Sequence, residues 1–259
     1  MIFFALSCAA VLFFGNQHWK EKVQVKGIPA NGDLEEGTNA GIVEGKGRAA
    51  SDGVLKYAGH WPVEAQENFQ MAVEEGQPFH ILIAGSPAIG SGSEGTASLL
   101  KAELEKAYRN SVMVTAKSYD VTSRQAVEQE VHEELAAEQA DLILLEPFIL
   151  KDNGYVTNEQ AAVHMTEMIE AIKKENPKAV VILQPANPLS KARYYPLQVE
   201  ALKEYADTNG IPFLDHWQAW PVEDENSMRA LLLDGDPAYP NEAGNQIWAE
   251  YLIDYFIPK

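Results

Sequence analysis

Between Phe79 and Gly92 the sequence FHILIAGSPAIGSG passes directly from an apolar run into glycine, serine and proline. The run Ile81-Leu82-Ile83-Ala84 is short, unbroken by polar residues and bounded by turn formers. It reads as a strand buried on both faces, central in a parallel sheet. In open α/β sheets, ligands bind where the loops leave the carboxyl ends of the strands. Ser86 stands at such an end, and any chemistry of this chain is expected there.

The remainder repeats the pattern. Further strands are predicted at Val112–Thr115, Leu142–Leu145, Val180–Leu183 and Ile211–Leu214. Helices are predicted from Pro62 to about Glu75, over Ala97–Tyr108, and through Val127, Val131 and Leu135 at intervals of four. Thr157 with Gln160 offers a capping box for another. Two more lie around Val199–Leu202, ending near Gly210, and from near Asn241 to the end, burying Trp248, Leu252 and Phe256. This alternation predicts an α/β fold: three α/β/α layers around a five-stranded parallel, flavodoxin-like sheet spanning residues 57–259.

Ahead of that domain, residues 1–19 open on the apolar stretch Met1–Gly15, intermediate in length between a signal-peptide core and a membrane span. They read as a signal anchor or signal peptide; Ala5-Leu6-Ser7-Cys8 also loosely matches a lipoprotein cleavage box. Residues 20–56, with Gly27, Gly32, Gly37, Gly41, Gly45, Gly47 and Gly53, read as a flexible tether. The expected location is extracytoplasmic, membrane-anchored or secreted. A formal net charge of −18 disfavours nucleic acid and anionic lipid as partners, so membrane contact is expected through the amino-terminal segment alone. The single Cys8 excludes an internal disulfide, and no Cys/His cluster has metal spacing.

The loop after the Phe79 strand has three readings. Gly85 and Gly90 have the Gly-x4-Gly spacing of a phosphate loop, but Ser91 occupies the lysine position. Gly90, Gly92 and Gly95 spell a dinucleotide fingerprint with Asp120 as a ribose acid, yet Ser86–Ile89 separate the strand from the first glycine. The third reading is a serine nucleophile, since a sharp strand-to-helix turn presents a hydroxyl beside free amides that can hold an oxyanion.

Asp236-Pro237-Ala238-Tyr239-Pro240-Asn241-Glu242-Ala243-Gly244 resembles the closing block D-x-x-H-P-N-x-x-G of the SGNH (GDSL) hydrolases. Ala84-Gly85-Ser86-Pro87-Ala88-Ile89-Gly90-Ser91-Gly92 is similar to their opening block, G-D-S-L-x-x-G-x-G. The resemblance covers roughly residues 78 to 257. It places Ser86 at the nucleophile and Asp236 at the acid, with backbone amides at Ser86 and around Val121 holding the oxyanion. It implies ester hydrolysis or acyl transfer, no metal and no organic cofactor. The substrate would be an ester-bearing small molecule or an O-acetylated cell-surface polysaccharide. The chain departs from the family pattern at four places. Ala84-Gly85 replaces Gly-Asp, Tyr119-Asp120-Val121-Thr122 replaces the glycine loop after the second strand, Glu146-Pro147-Phe148 replaces the G-x-N-D block, and Tyr239 replaces the histidine.

Tyrosine is a poor base at neutral pH, so a serine needs its base from elsewhere. Of the six histidines, His216 alone follows a strand end on the expected site face and is the candidate surrogate. His80 reads as a satisfied core residue and His164 as a packing residue. Glu146 and Asn153 are expected at the rim, Asn153 as an oxyanion donor or as a turn residue with Gly154. Trp61, Trp217, Trp220, Tyr194 and Tyr195 are candidates for sugar stacking or for rim packing. A protein of the same fold that binds surface carbohydrate without catalysis is the alternative reading.

Overall fold

The structure, a computed structural model, describes residues 53–90 and 92–259. The expected signal segment at 1–19 and nearly all of the expected tether lie outside the described residues. The chain is already helical at 53–55, ahead of the expected start of the domain at 57, and continues in a 3₁₀ turn over Lys56–His60.

Helix α1 (Val63–Glu75) leads into β1 (Phe79–Gly85), α2 (Thr96–Tyr108) and β2 (Val112–Ser118). The short α3 (Ser123–Glu128) and α4 (Val131–Ala136) precede β3 (Leu142–Leu145). After β3 come a single turn α5 (Ile149–Asp152), α6 (Asn158–Glu175), β4 (Val180–Leu183) and α7 (Tyr195–Thr208). The turn α8 (Glu225–Arg229), an antiparallel ribbon of β5 (Leu232–Leu233) and β6 (Asp236–Pro240), and α9 (Glu242–Phe256) close the unit.

The main sheet is parallel throughout in the order β2-β1-β3-β4, and all seven residues of β1 are buried. Right-handed crossovers require α2 on one face and α3, α4 and α6 on the other. The packing agrees, with α9 on α2 and α6 on α3 and α4. The order reverses between β1 and β3, which opens the crevice of a doubly wound sheet at the carboxyl end of β1. Ser86 follows β1 directly at that crevice.

The sheet has four strands, not five. Around Ile211–Leu214 only one parallel bridge forms, Leu183 with Phe213, through Leu183 N–H to Pro212 O and Leu214 N–H to Leu183 O, both 2.8 Å. Extending that ladder needs an N–H from residue 212 on one side and from residue 185 on the other, and both are proline. The helix expected through Val127–Leu135 is two, because Glu130 takes a left-handed conformation at φ 60° and breaks it.

The capping box is formed as predicted: Thr157 Oγ1 accepts from Gln160 N–H at 3.3 Å, and Gln160 Oε1 accepts from Thr157 N–H at 3.2 Å. Thr157→Ala is expected to cost about 1 kcal/mol, measurable by urea unfolding. At the amino ends of the strands, Trp61, Phe69, Phe79, Tyr108 and Phe256 form one buried aromatic cluster. Trp61 Nε1 and Tyr108 Oη both donate to Phe256 O, at 3.2 and 2.6 Å. Among the described residues, no helix is long and apolar enough to cross a membrane.

Candidate functional site

Ser86 caps a 3₁₀ turn, Pro87–Ile89, whose first residue is a proline that needs no amide partner. Its Oγ accepts from Ala88 N–H at 3.3 Å, and its own N–H donates to Glu146 Oε2 at 2.7 Å. Ser86 is fully enclosed, at 0% exposure. Its amide, expected to help hold an oxyanion, is therefore committed to Glu146.

Glu146 leaves β3 beside this turn and is also wholly buried; its Oε1 accepts from Phe148 N–H at 3.0 Å. Burial pushes its carboxyl pKa up, the charge of Asp152 adds to this, and hydrogen bonds from the Ser86 side chain and amide and the Phe148 amide pull it back. The carboxylate fits because residue 85 has no side chain. A Cβ on Gly85 would stand 2.7 Å from Glu146 Cβ. Tyr195 lies within the field of Glu146, and burial together with that charge raises its phenol well above the ordinary range.

The glycines that suggested a dinucleotide fingerprint serve the loop itself. Gly90, at φ +73°, packs on Gly95 so closely that a Cβ on Gly90 would meet Gly95 Cα at 2.6 Å. Asp120, the residue considered for a ribose, instead pairs with Lys151 at 2.6 Å.

His216 is not available as a base for Ser86. Its Nε2 donates to Pro185 O at 3.0 Å, and its Nδ1 accepts from Trp220 Nε1 at 3.1 Å. The ring stacks on Trp248 at 4.3 Å, and burial lowers its pKa to about 3. Both nitrogens are engaged, so His216 is a neutral core residue. Asp236 is exposed at the head of β6, where its Oδ1 faces the Ala238 amide at 3.4 Å. Nothing there joins it to a histidine. Val121 is buried after β2, and Asn153 is exposed in a turn continued by Gly154 at φ 83°. Tyr239, in the histidine position, is half-buried, with Oη 3.5 Å from Lys151 Nζ. The bond to Asp120 raises the Lys151 pKa, so the lysine stays charged within an ion pair beside Tyr239.

Lys151 escaped the sequence reading because its two partners, Asp120 and Tyr239, come from different strand ends. A second serine escaped likewise. Ser123 Oγ lies 2.9 Å from His164 Nδ1, while Ser123 N–H donates to the buried Asp152 at 2.7 Å. Asp152 holds the serine amide instead of the imidazole, so the three do not form a relay. Of the aromatic candidates, Trp61, Trp220 and Tyr195 are buried, and Trp217 donates to Ala186 O at 2.8 Å, whereas Tyr194 is open to solvent.

A model of the GDSL-like lipase/acylhydrolase family matches residues 82–247. No curated protein matches the sequence. Among solved structures, a catalytic mutant of an acetylxylan esterase from Geobacillus stearothermophilus superposes with a TM-score of 0.54 at 15% identity, covering 69% of this chain and 94% of that one. A carbohydrate esterase family 3 protein from Talaromyces cellulolyticus superposes with a TM-score of 0.54 at 14% identity, covering 67% and 94%. At such identities the likeness is one of fold.

Proposed function

Because this chain belongs to the GDSL-like lipase/acylhydrolase family, we propose that it cleaves or transfers O-acyl groups of a saccharide, with Ser86 as nucleophile and Glu146 in place of the family histidine. The observation that carries this reading is that Glu146, a carboxylate whose burial raises its basicity, receives hydrogen bonds from both the side chain and the backbone amide of Ser86, the latter at 2.7 Å. Ser86 Oγ attacks the acyl carbonyl carbon as its proton passes to Glu146. The alcohol leaves with that proton, and water or a second hydroxyl, deprotonated by Glu146, releases the acyl group from the serine. Lys151, paired with Asp120, lies at the mouth, and the backbone amide of Val121 would serve the oxyanion. The saccharide substrate is suggested by the esterases that share the fold. The apolar residues 1–15 suggest action outside the cytoplasm, with the domain tethered to a membrane.

One observation favours a second reading. Ser86 is enclosed, and attack requires the groups packed around it to open. A protein in which it stays closed would bind saccharide without cleaving it.

A fluorophosphonate probe separates the two. Under the esterase reading, the full chain is labelled, Ser86→Ala is not, and Glu146→Gln is labelled at least about a hundredfold more slowly. Labelling rises with pH through the raised Glu146 titration, since the base works only when ionised. An unlabelled wild type across about pH 5 to 9 leaves the binding reading.

A further inference from the structure

Beside the candidate site, a groove of about 510 Å³ runs between the end of β2 and the turn after α5. Its walls carry Asp120, Arg124, Glu128 and Lys151, and at its edge stands Tyr155. Tyr155 is 77% exposed, yet its backbone is fixed: Tyr155 N–H and Val156 N–H both donate to Asp152 O, at 2.8 and 3.0 Å. Asp152 is itself buried, so an open aromatic face is mounted on a turn anchored in the core. Such a platform orders little on binding, which lowers the entropic cost of contact.

We propose that this groove binds a neutral saccharide chain, with Tyr155 stacking on one sugar ring and the charged walls taking its hydroxyls. The inference rests on the reading above for what the bound chain carries, but not for its being bound. An aromatic plate offers apolar area to the C–H face of a pyranose. The walls offer what vicinal hydroxyls need, donors and acceptors side by side. Lys151 and Asp120 form an ion pair at 2.6 Å, and Arg124 is steered by a 3.1 Å bond to Gln160 Oε1. Two cations and two carboxylates cancel, so the groove has no net field to select an acidic polymer. A peptide would find few apolar anchors here.

The groove also leads toward the serine. Lys151 lines it and reaches Tyr239 Oη at 3.5 Å, and Tyr239 lines the adjoining hollow of about 400 Å³ with Pro87 and Ala88, the residues after Ser86. A saccharide on Tyr155 would thus extend past Lys151 toward the Ser86 turn.

Titration of the full chain with xylohexaose and with chitotetraose, followed by calorimetry, tests the inference without requiring catalysis. At least one of the two is expected to bind. Tyr155→Ala should weaken that binding roughly tenfold, Tyr155→Trp should retain it, and Val63→Ala, at an exposed position of α1 outside the groove, should leave it unchanged. Binding of neither saccharide, or binding indifferent to Tyr155→Ala, overturns the proposal. Should fluorophosphonate labelling fail while Tyr155-dependent binding holds, the ester reading falls and this one stands.

Discussion

Acidification from neutral pH to pH 4 is expected to remove about 3 kcal/mol of folding stability through His216 alone. In the fold His216 has a pKa of about 3, against 6.5 for the free side chain. Between those values the unfolded chain takes up a proton that the folded chain refuses. The stabilisation is complete above about pH 6.5 and drains at about 1.4 kcal/mol per unit as pH falls toward the folded value. The cause is burial against Trp248, with Trp220 donating to the one nitrogen that would have to be protonated. Glu146 and Asp152, whose pKa values are raised by burial, act in the opposite sense, since the folded state binds their protons more tightly. Urea unfolding of wild type and His216→Phe at several pH values therefore isolates the histidine as a difference. The variant should be less stable at pH 7, because Trp220 Nε1 and Pro185 O lose their partner, but flatter with pH. Parallel profiles would sink the assignment.

Gly85→Ala is expected to destabilise the protein by about 2–3 kcal/mol, an overpacking cost at a site where nothing flexible can yield. The new Cβ would meet Glu146 Cβ at 2.7 Å, its Oε2 at 3.0 Å and its backbone oxygen at 3.3 Å. Displacing Glu146 also removes the acceptor of the Ser86 amide, so any serine labelling should fall with stability. The double variant Gly85→Ala/Glu146→Gly should recover most of the packing cost, giving a coupling of about 1–3 kcal/mol in a double-mutant cycle. Additive costs would mean that the two residues do not confront each other. In the family pattern that this chain resembles, the residue before the serine is an aspartate and the third block begins with glycine. Here the first is Gly85 and the second is Glu146. The two departures amount to one exchange, in which the carboxylate and the vacancy that admits it have traded strands.

That exchange marks the limit of what was legible beforehand. Local signals were readable: the apolar runs that became β1 to β4, the Thr157 capping box, and the turn that places Ser86 at the end of β1. The missing fifth strand was encoded in Pro185 and Pro212, but their effect depends on which amides face each other across the ladder. Pairings between distant loops carried no sequence mark. Ser86 and Glu146 lie 60 positions apart, and Lys151 and Tyr239 lie 88 apart. The same holds for His216. Its position after a strand end suggested the site, whereas its partners Pro185, Trp220 and Trp248 converge only in the folded core.

The bond that Trp61 makes to Phe256 O brings the start and the last helix of the described unit side by side. Its ends can therefore be exchanged for others. A short glycine-rich join from residue 259 to residue 53, with new ends cut in the exposed turn at Asn209–Gly210, would preserve every hydrogen bond within the four-stranded sheet. Such a circular permutant would begin with the segment that supplies the lone fifth bridge and would carry β1 in its interior, with the Ser86 turn intact.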